Sequence, residues 1–394
     1  MGPDPKRYPV SIVRCRDYSP EETSAAVTKA VSLLELDDGF FSTKGPILLK
    51  PNLLSRRSPE RAVTTHPAVL ESVIRAVRSR NPDAEMQIGD SPGGALKRIE
   101  SFWEKAGFTR VSENTGVPLV SFEDMESKPF RETGFRGLDS FSISKTAFDS
   151  PLIINIPKMK THSFTYMTCA MKNLYGFIPG LQKATIHKAL PDHGEFSRFI
   201  AYLNTLVRPA LHIVDAVTSM EGNGPSSGTP VHTGLIVAGT DSMAVDMVVC
   251  RLMGISPFSV TYIKEAVRLG IGPGEENRID VRGERIEDVR PGSFRLPSSY
   301  MLKKLFSGVF IRMFRKFIWS RPYVDSNGCT RCGKCIESCP VGAMTFTDTG
   351  IEIDYDACID CLCCHELCDN DTVKLEFSFL AKRLFNTEDY GKKK

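Results

Sequence analysis

"CTRCGKCIESCPVGA" occupies residues 329–343, and "CIDCLCCHELCDN" occupies residues 358–370. Each run spaces four cysteines as Cys-x2-Cys-x2-Cys-x3-Cys: first Cys329, Cys332, Cys335 and Cys339, then Cys358, Cys361, Cys364 and Cys368. Eight of the 12 cysteines therefore fall in two near-identical quartets. Cysteine density of this kind suits disulfides in small secreted domains. This chain has 394 residues, however, and its first ten, "MGPDPKRYPV", carry charges where an export signal needs an apolar core. Lys6 likewise stands where a myristoylation site requires Ser or Thr. The expected setting is a reducing cytoplasm, and the expected use of the quartets is metal ligation.

Soft thiolates in fours exclude magnesium and calcium, leaving zinc and iron–sulfur clusters. Zinc sites draw on two pairs of ligands, not on two internally duplicated quartets. The short gaps let three thiolates of one loop reach three irons of a cubane, while the fourth is carried by a helical turn to the other cluster. The spacing is that of bacterial two-cluster ferredoxins. It assigns Cys329, Cys332, Cys335 and Cys368 to one [4Fe–4S] centre, and Cys358, Cys361, Cys364 and Cys339 to the other. Two residues depart from the pattern. Asp369 replaces the proline that follows the fourth cysteine in the first run, and Cys363 is a spare thiol. Cys363 reads as a small packing residue, with a reading as an alternative cluster ligand beside it.

The formal net charge of +3 conceals a polarity. Residues 325–376 carry eleven acids against three bases, so that segment is −8 and the remainder +11. An acidic module is attracted to a basic body, or to a basic partner, at low salt. No basic run with interleaved aromatics points to nucleic acid.

With 41% hydrophobic and 25% charged residues, the chain reads as a globular protein of about two or three domains. From residue 8 to about 290, continuous apolar runs alternate with helical patterns. The runs include "PILLKPNLL" (46–54), "EMQIGDSPGG" (85–94), "LIINIPKMKTH" (152–162), "LHIVDAV" (211–217) and "LIVAG" (235–239). Such runs predict an α/β fold, a largely parallel sheet covered by helices on both faces, followed by a small α+β two-cluster ferredoxin domain. Pro67 and Asp241 are the expected helix N-terminal signals. Polar segments follow several strands, at the carboxyl edge where open α/β sheets bind ligands.

Those segments supply the candidate site. His162, Lys172 and Lys160 are the expected catalytic residues: a proton donor or acceptor beside point charges that grip an anion. Lys50, Asn52, Asp90, Lys158, Asn173, Glu221 and Asn223 are the expected substrate-binding residues. Glu221 and Asn223 lie in "VTSMEGNGPSSGTPVHTG" (217–234), read as a flexible cradle. His187, Asp192 and His193 offer a further proton donor or a metal ligand. No recognisable flavin or nicotinamide motif is present.

"MLKKLFSGVFIRMFRKFIWS" (301–320) has an apolar stripe opposite a basic face. It reads as a connector helix docked on the body, with association with a membrane surface as the other reading. The expected division is an α/β body at 1–296, a connector at 297–322, a ferredoxin domain at 323–376 and a tail at 377–394.

"LLKPNLL" with "TTHP" (64–67), "PKMKTH…MKNLYGFIPG", "DAVTSMEGNGP" and "AGTDSMAVD" occur in that order. In these blocks the chain resembles the family termed domain of unknown function 362, iron–sulfur-centre proteins, over about residues 8–290. The resemblance strengthens the architecture without naming a substrate. Three functions are expected in descending order. The first is an iron–sulfur reductase acting on a small anionic substrate, fed by a low-potential electron donor or acceptor protein. The second is a ferredoxin-type subunit serving a partner enzyme, and the third is a redox-responsive binding protein.

Overall fold

The computed structural model describes residues 6–93, 99–305 and 319–385. The body's strands are β1 (Tyr8–Arg14), β2 (Ile47–Pro51), β3 (Met86–Asp90) and β4 (Leu119–Ser121), then β5 (Ser127–Phe135) and β6 (Leu138–Ser144). They continue with β7 (Ile153–Ile156), β8 (Lys158–His162), β9 (Tyr166–Thr168), β10 (Leu211–Glu221), β11 (Thr229–Gly239) and β12 (Ile279–Gly283). Ten of these form one sheet, in the order β12-β1-β11-β10-β7-β2-β3-β4, with β8 on β10 and β9 on β8. Pairing is parallel except for β11 against β1 and β10, and β9 against β8. β5 and β6 form a separate hairpin.

The apolar runs need two cores because successive side chains point to opposite faces. Ile47 and Leu49 enter one core, with Val69 and Val73 of the helix Pro67–Arg80. Leu48, between them, enters the other, with Phe199 of the helix His193–Leu206 and Val248 of the helix Ser242–Met253. Ile213 and Val214 divide in the same way. Burial on both faces explains why these strands lack polar alternation. Pro67 opens its helix, capped by His66, and Asp241 caps its own by accepting from Ala244 N at 2.9 Å.

The structure changes the reading of residues 217–234. β10 runs on to Glu221 and β11 begins at Thr229, so the cradle shrinks to the tip of a long hairpin at 222–228. A helix spans Ser298–Leu305, and the rest of the proposed connector up to 318 lies outside the described residues, as do Gly94 and residues 386–394. β13 (Ser320–Val324) starts within the range assigned to the connector and pairs with β16 (Val373–Phe377), so the module opens and closes on one antiparallel pair. β14 (Met344–Thr347) pairs with β15 (Gly350–Ile353).

The module repeats itself every 29 residues, the interval between Cys329 and Cys358. Arg331, Gly333 and Gly342 have positive φ, and so do Asp360, Leu362 and Asp371, their counterparts in the second half. Ala343 N donates to Cys339 Sγ at 3.2 Å, and Thr372 N donates to Cys368 Sγ at 3.4 Å, again one repeat on. A left-handed backbone costs a residue other than glycine roughly 1–2 kcal/mol, so its recurrence marks turns that the cysteine loops require.

Candidate functional site

The module rests on the carboxyl edge of the body's sheet. Arg57 and Arg61 hold Asp371 at 2.7 and 2.5 Å, Arg57 also donates to the Cys368 carbonyl, and Arg56 reaches Asp369 at 3.4 Å. Asp369, where the first run has proline, is also paired with Lys334. The hairpin tip adds Ser226 Oγ to the Glu366 carbonyl at 2.5 Å and Ser227 Oγ to Asp371 at 3.1 Å. The acidic module thus meets three arginines of the basic body in one short segment.

Between the two lies a cavity of about 80 Å³. The body's wall includes Lys50, Asn52, Asp90, Lys160, His162, Lys172 and Asn173. The module's wall is Ser338, Cys363, Glu366 and Leu367. β8 explains part of this arrangement: its period of two sets Lys158, Lys160 and His162 on one side, with Met159 turned into the core.

Lys160 donates to Asn52 Oδ1 and to the Val63 carbonyl, both at 2.8 Å, and has no ion pair among the described residues. Burial, with Lys172 nearby, lowers its pKa to about 7. Lys172 is half-buried and its side chain has neither hydrogen bond nor ion pair among the described residues; its ammonium lies 5.8 Å from the centre of the Tyr175 ring. Burial lowers its pKa, opposed by Glu366. His162 Nδ1 accepts from Phe164 N at 3.1 Å and from Thr165 N at 3.4 Å, which leaves the proton of the neutral ring on Nε2. Burial and the two lysines push its pKa well below the usual value, so the ring stays neutral. His162 Nε2 lies 3.2 Å from Glu366 Oε1, at an angle that gives neither atom a hydrogen bond. Burial raises the Glu366 carboxyl.

Lys50 and Asp90 also border the cavity but neutralise one another at 2.8 Å, both buried. Asn52 donates to Asn173 Oδ1 at 3.0 Å, and Asn173 donates to Asn155 Oδ1 at 2.7 Å, locking the amides on that wall. Three expected binding residues lie elsewhere. Lys158 pairs with Asp215 at 2.8 Å and meets the Tyr18 hydroxyl at 2.9 Å, deep in the sheet. Glu221 is held by Arg295 at 2.6 Å. Asn223 accepts from Ser298 N at 3.1 Å. Each stabilises a join between elements, and none borders the cavity.

His187 borders the cavity but stacks on Phe196 at 4.3 Å between ring centres, and burial lowers its pKa to about 3. Asp192 caps the helix His193–Leu206. Sequence reasoning missed Lys183, which donates to Ser91 Oγ at 2.6 Å and is lowered to about 8 by burial. It also missed Glu366, hidden in a run whose cysteines dominate the reading.

The cysteines fit iron–sulfur clusters. All are free thiols. Cys335 lies near Cys368, Cys332 and Cys329, and Cys364 lies near Cys361, Cys358, Cys335 and Cys339, so the cysteines of both runs gather in one region. Cys339, Cys358, Cys361 and Cys364 border one small apolar cavity of about 20 Å³. Among the described residues no three His, Cys, Asp or Glu side chains converge on a single ion, whereas a cubane holds its ligands apart at separate irons.

A family model described as domain of unknown function (DUF362) matches residues 47–251, just over half of the chain. The chain belongs to the DUF362 family. A second model, a 4Fe-4S dicluster domain, matches residues 321–369, so this DUF362 protein carries a ferredoxin domain with an iron–sulfur electron-transfer role. A thylakoid-associated protein of Synechocystis is 32% identical over 270 residues, 67% of this chain and 80% of that protein. The pyruvate synthase subunit PorD of Methanothermobacter marburgensis is 39% identical over 14% of this chain and 65% of its own length. The lactate racemase apoprotein of Thermoanaerobacterium thermosaccharolyticum aligns with a TM-score of 0.39 and 13% identity, over 63% of this chain and 57% of that one. Among the described residues no helix is long and apolar enough to cross a membrane.

Proposed function

We propose that this DUF362 protein is an iron–sulfur oxidoreductase, cytoplasmic, in which electrons from a low-potential partner protein pass through two [4Fe–4S] clusters to a small anionic substrate held between body and module. One observation supports the reading above the others: the cavity bordered by Lys160, His162 and Lys172 is closed by Cys363 and Glu366 of a cluster-binding loop. The clusters, when bound, supply single electrons at low potential.

The chain's own residues do the rest. Lys172, its ammonium free of hydrogen bonds among the described residues, and Lys160 attract a carboxylate or phosphate as point charges. The His162 ring offers an Nε2–H to a polarised carbonyl oxygen or to the end of a polarised double bond. Lys160, lowered to about 7, exchanges a proton at working pH. Glu366 is the counter-charge to Lys172, and Asn52 and Asn173 fix the wall behind them.

The test begins with protein purified without oxygen, reduced chemically and mixed with fractions of cell extract to find the compound that reoxidises it. His162→Gln and Lys172→Met, each at full iron content, should then slow reoxidation by about 100-fold or more. Unchanged rates would remove both residues from the site. The second reading, a carrier subunit for a partner enzyme, draws on the similarity to PorD, a subunit of pyruvate synthase. Reoxidation by a protein and by no small molecule selects it.

A further inference from the structure

Lys50, Lys158 and Lys160 are all buried, but they have different partners. Lys50 has Asp90 at 2.8 Å, and Lys158 has Asp215 at 2.8 Å. Lys160 has two neutral oxygens instead, Asn52 Oδ1 and the Val63 carbonyl. A chain of amides fixes the first of these. Asn155 Nδ2 donates to the Ala170 carbonyl at 2.9 Å, which leaves Asn155 Oδ1 to accept from Asn173 Nδ2. Asn173 Oδ1 then accepts from Asn52 Nδ2, and Asn52 Oδ1 is the atom left for Lys160. The two oxygens use two hydrogens of the lysine nitrogen, and the described residues offer no third acceptor. A neutral amine satisfies both contacts and keeps a lone pair, whereas an ammonium would bury an unpaired N–H and an uncompensated charge. Burial, with Lys172 and Lys158, outweighs the attraction of Glu366 and Asp90, and the lysine titrates at about 7.

We propose that Lys160 is a nucleophile, and that it condenses with the carbonyl carbon of a small 2-oxo acid in this cavity to form an imine. A desolvated lysine beside a second cation is the setting that activates an amine for this chemistry. The nitrogen lone pair forms the C–N bond while the carbonyl π pair moves to oxygen. That oxygen takes up the two protons that nitrogen gives up and leaves as water, and C=N replaces C=O. No oxidant or reductant is consumed. Lys172, whose ammonium has no hydrogen bond among the described residues, holds the carboxylate. His162, two residues on and on the same side of β8, offers its Nε2–H to the carbonyl oxygen. A 2-oxo acid of a few carbons suits a space of about 80 Å³. The inference rests on the reading of this cavity as a substrate site.

The experiment is reductive trapping. Full-length protein prepared without oxygen is incubated at about pH 7 with glyoxylate or pyruvate and sodium cyanoborohydride, which reduces an imine to a stable secondary amine. Peptide mass spectrometry then locates the adduct. A single adduct should form at Lys160, with Lys50 and Lys158 unmodified, and oxalate, which has carboxylates but no aldehyde or ketone, should compete. Lys160→Arg should abolish it. Asn52→Asp, which gives Lys160 the carboxylate that the other two lysines have, should cut the yield about tenfold or more, since each unit added to the lysine pKa lowers the free amine about tenfold. No adduct at Lys160, adducts on exposed lysines alone, or an undiminished yield in Asn52→Asp would overturn the proposal. Trapping needs no electrons from the clusters. An adduct on protein that no metabolite reoxidises would therefore uphold the imine and sink the reductase reading, and reoxidation by a 2-oxo acid without an adduct would do the reverse.

Discussion

Lys160 and Lys50 are buried alike but serve differently, because only Lys50 has a carboxylate in contact. Without one, Lys160 holds its proton only up to about pH 7, against an ordinary value of 10.5. Binding of a small anion such as oxalate, followed by calorimetry, should therefore weaken as pH rises from 6 to 8, and Lys160→Met should flatten that dependence. Stability has the opposite sign. Between about pH 7 and 10.5 the unfolded chain binds the proton that the folded chain has released, so stability from this group rises across that window. Urea unfolding at several pH values should show a shallower slope in Lys160→Met. Lys50→Met strands a buried Asp90 carboxylate, and the expected cost is about 3–5 kcal/mol in denaturant unfolding.

At the scale of elements, the join between hairpin tip and β8 is tight. A Cβ on Gly224 would lie 2.2 Å from the Thr161 carbonyl oxygen, which is backbone and cannot turn aside. Gly224→Ala should therefore push the tip away, loosen the contacts of Ser226 and Ser227 with the module, and cost about 1–3 kcal/mol in chemical denaturation. Arg57 and Asp371 form a two-pronged contact at 2.7 and 3.2 Å, so a double-mutant cycle to alanine should give a coupling of about 1–3 kcal/mol. Strands and helices were legible because burial on both faces leaves uninterrupted apolar runs, and Pro67 and Asp241 mark helix starts. The reach of β10 and β11 was not, since Gly and Ser beyond residue 217 resemble loop while their backbones still pair. The distinction between Lys158 and Lys160 was also hidden. Both lie on the same side of β8, and only the position of Asp215 on the neighbouring strand decides which of them is neutralised.

For the molecule as a whole, the cysteine spacing was sufficient to mark the ferredoxin module, which a 4Fe-4S dicluster domain model matches at residues 321–369. The wall that the module lends to the cavity was not legible: Glu366 meets His162 only through docking, and no local pattern encodes it. The module's own apolar core is small, built around Cys335, Met344, Ile353, Cys364, Cys368 and Val373. Removing iron with a chelator and oxidant should therefore unfold the module while the body keeps its melting transition, a separation that calorimetry reads directly. The repeat of 29 residues has a last consequence. Two halves of one design would be interchangeable in isolation, but the second half's helix, Cys363–Leu367, lends Cys363, Glu366 and Leu367 to the cavity wall, while Cys332 of the first is exposed. Docking gives the two halves different surroundings, solvent for one and the lysine-lined cavity for the other.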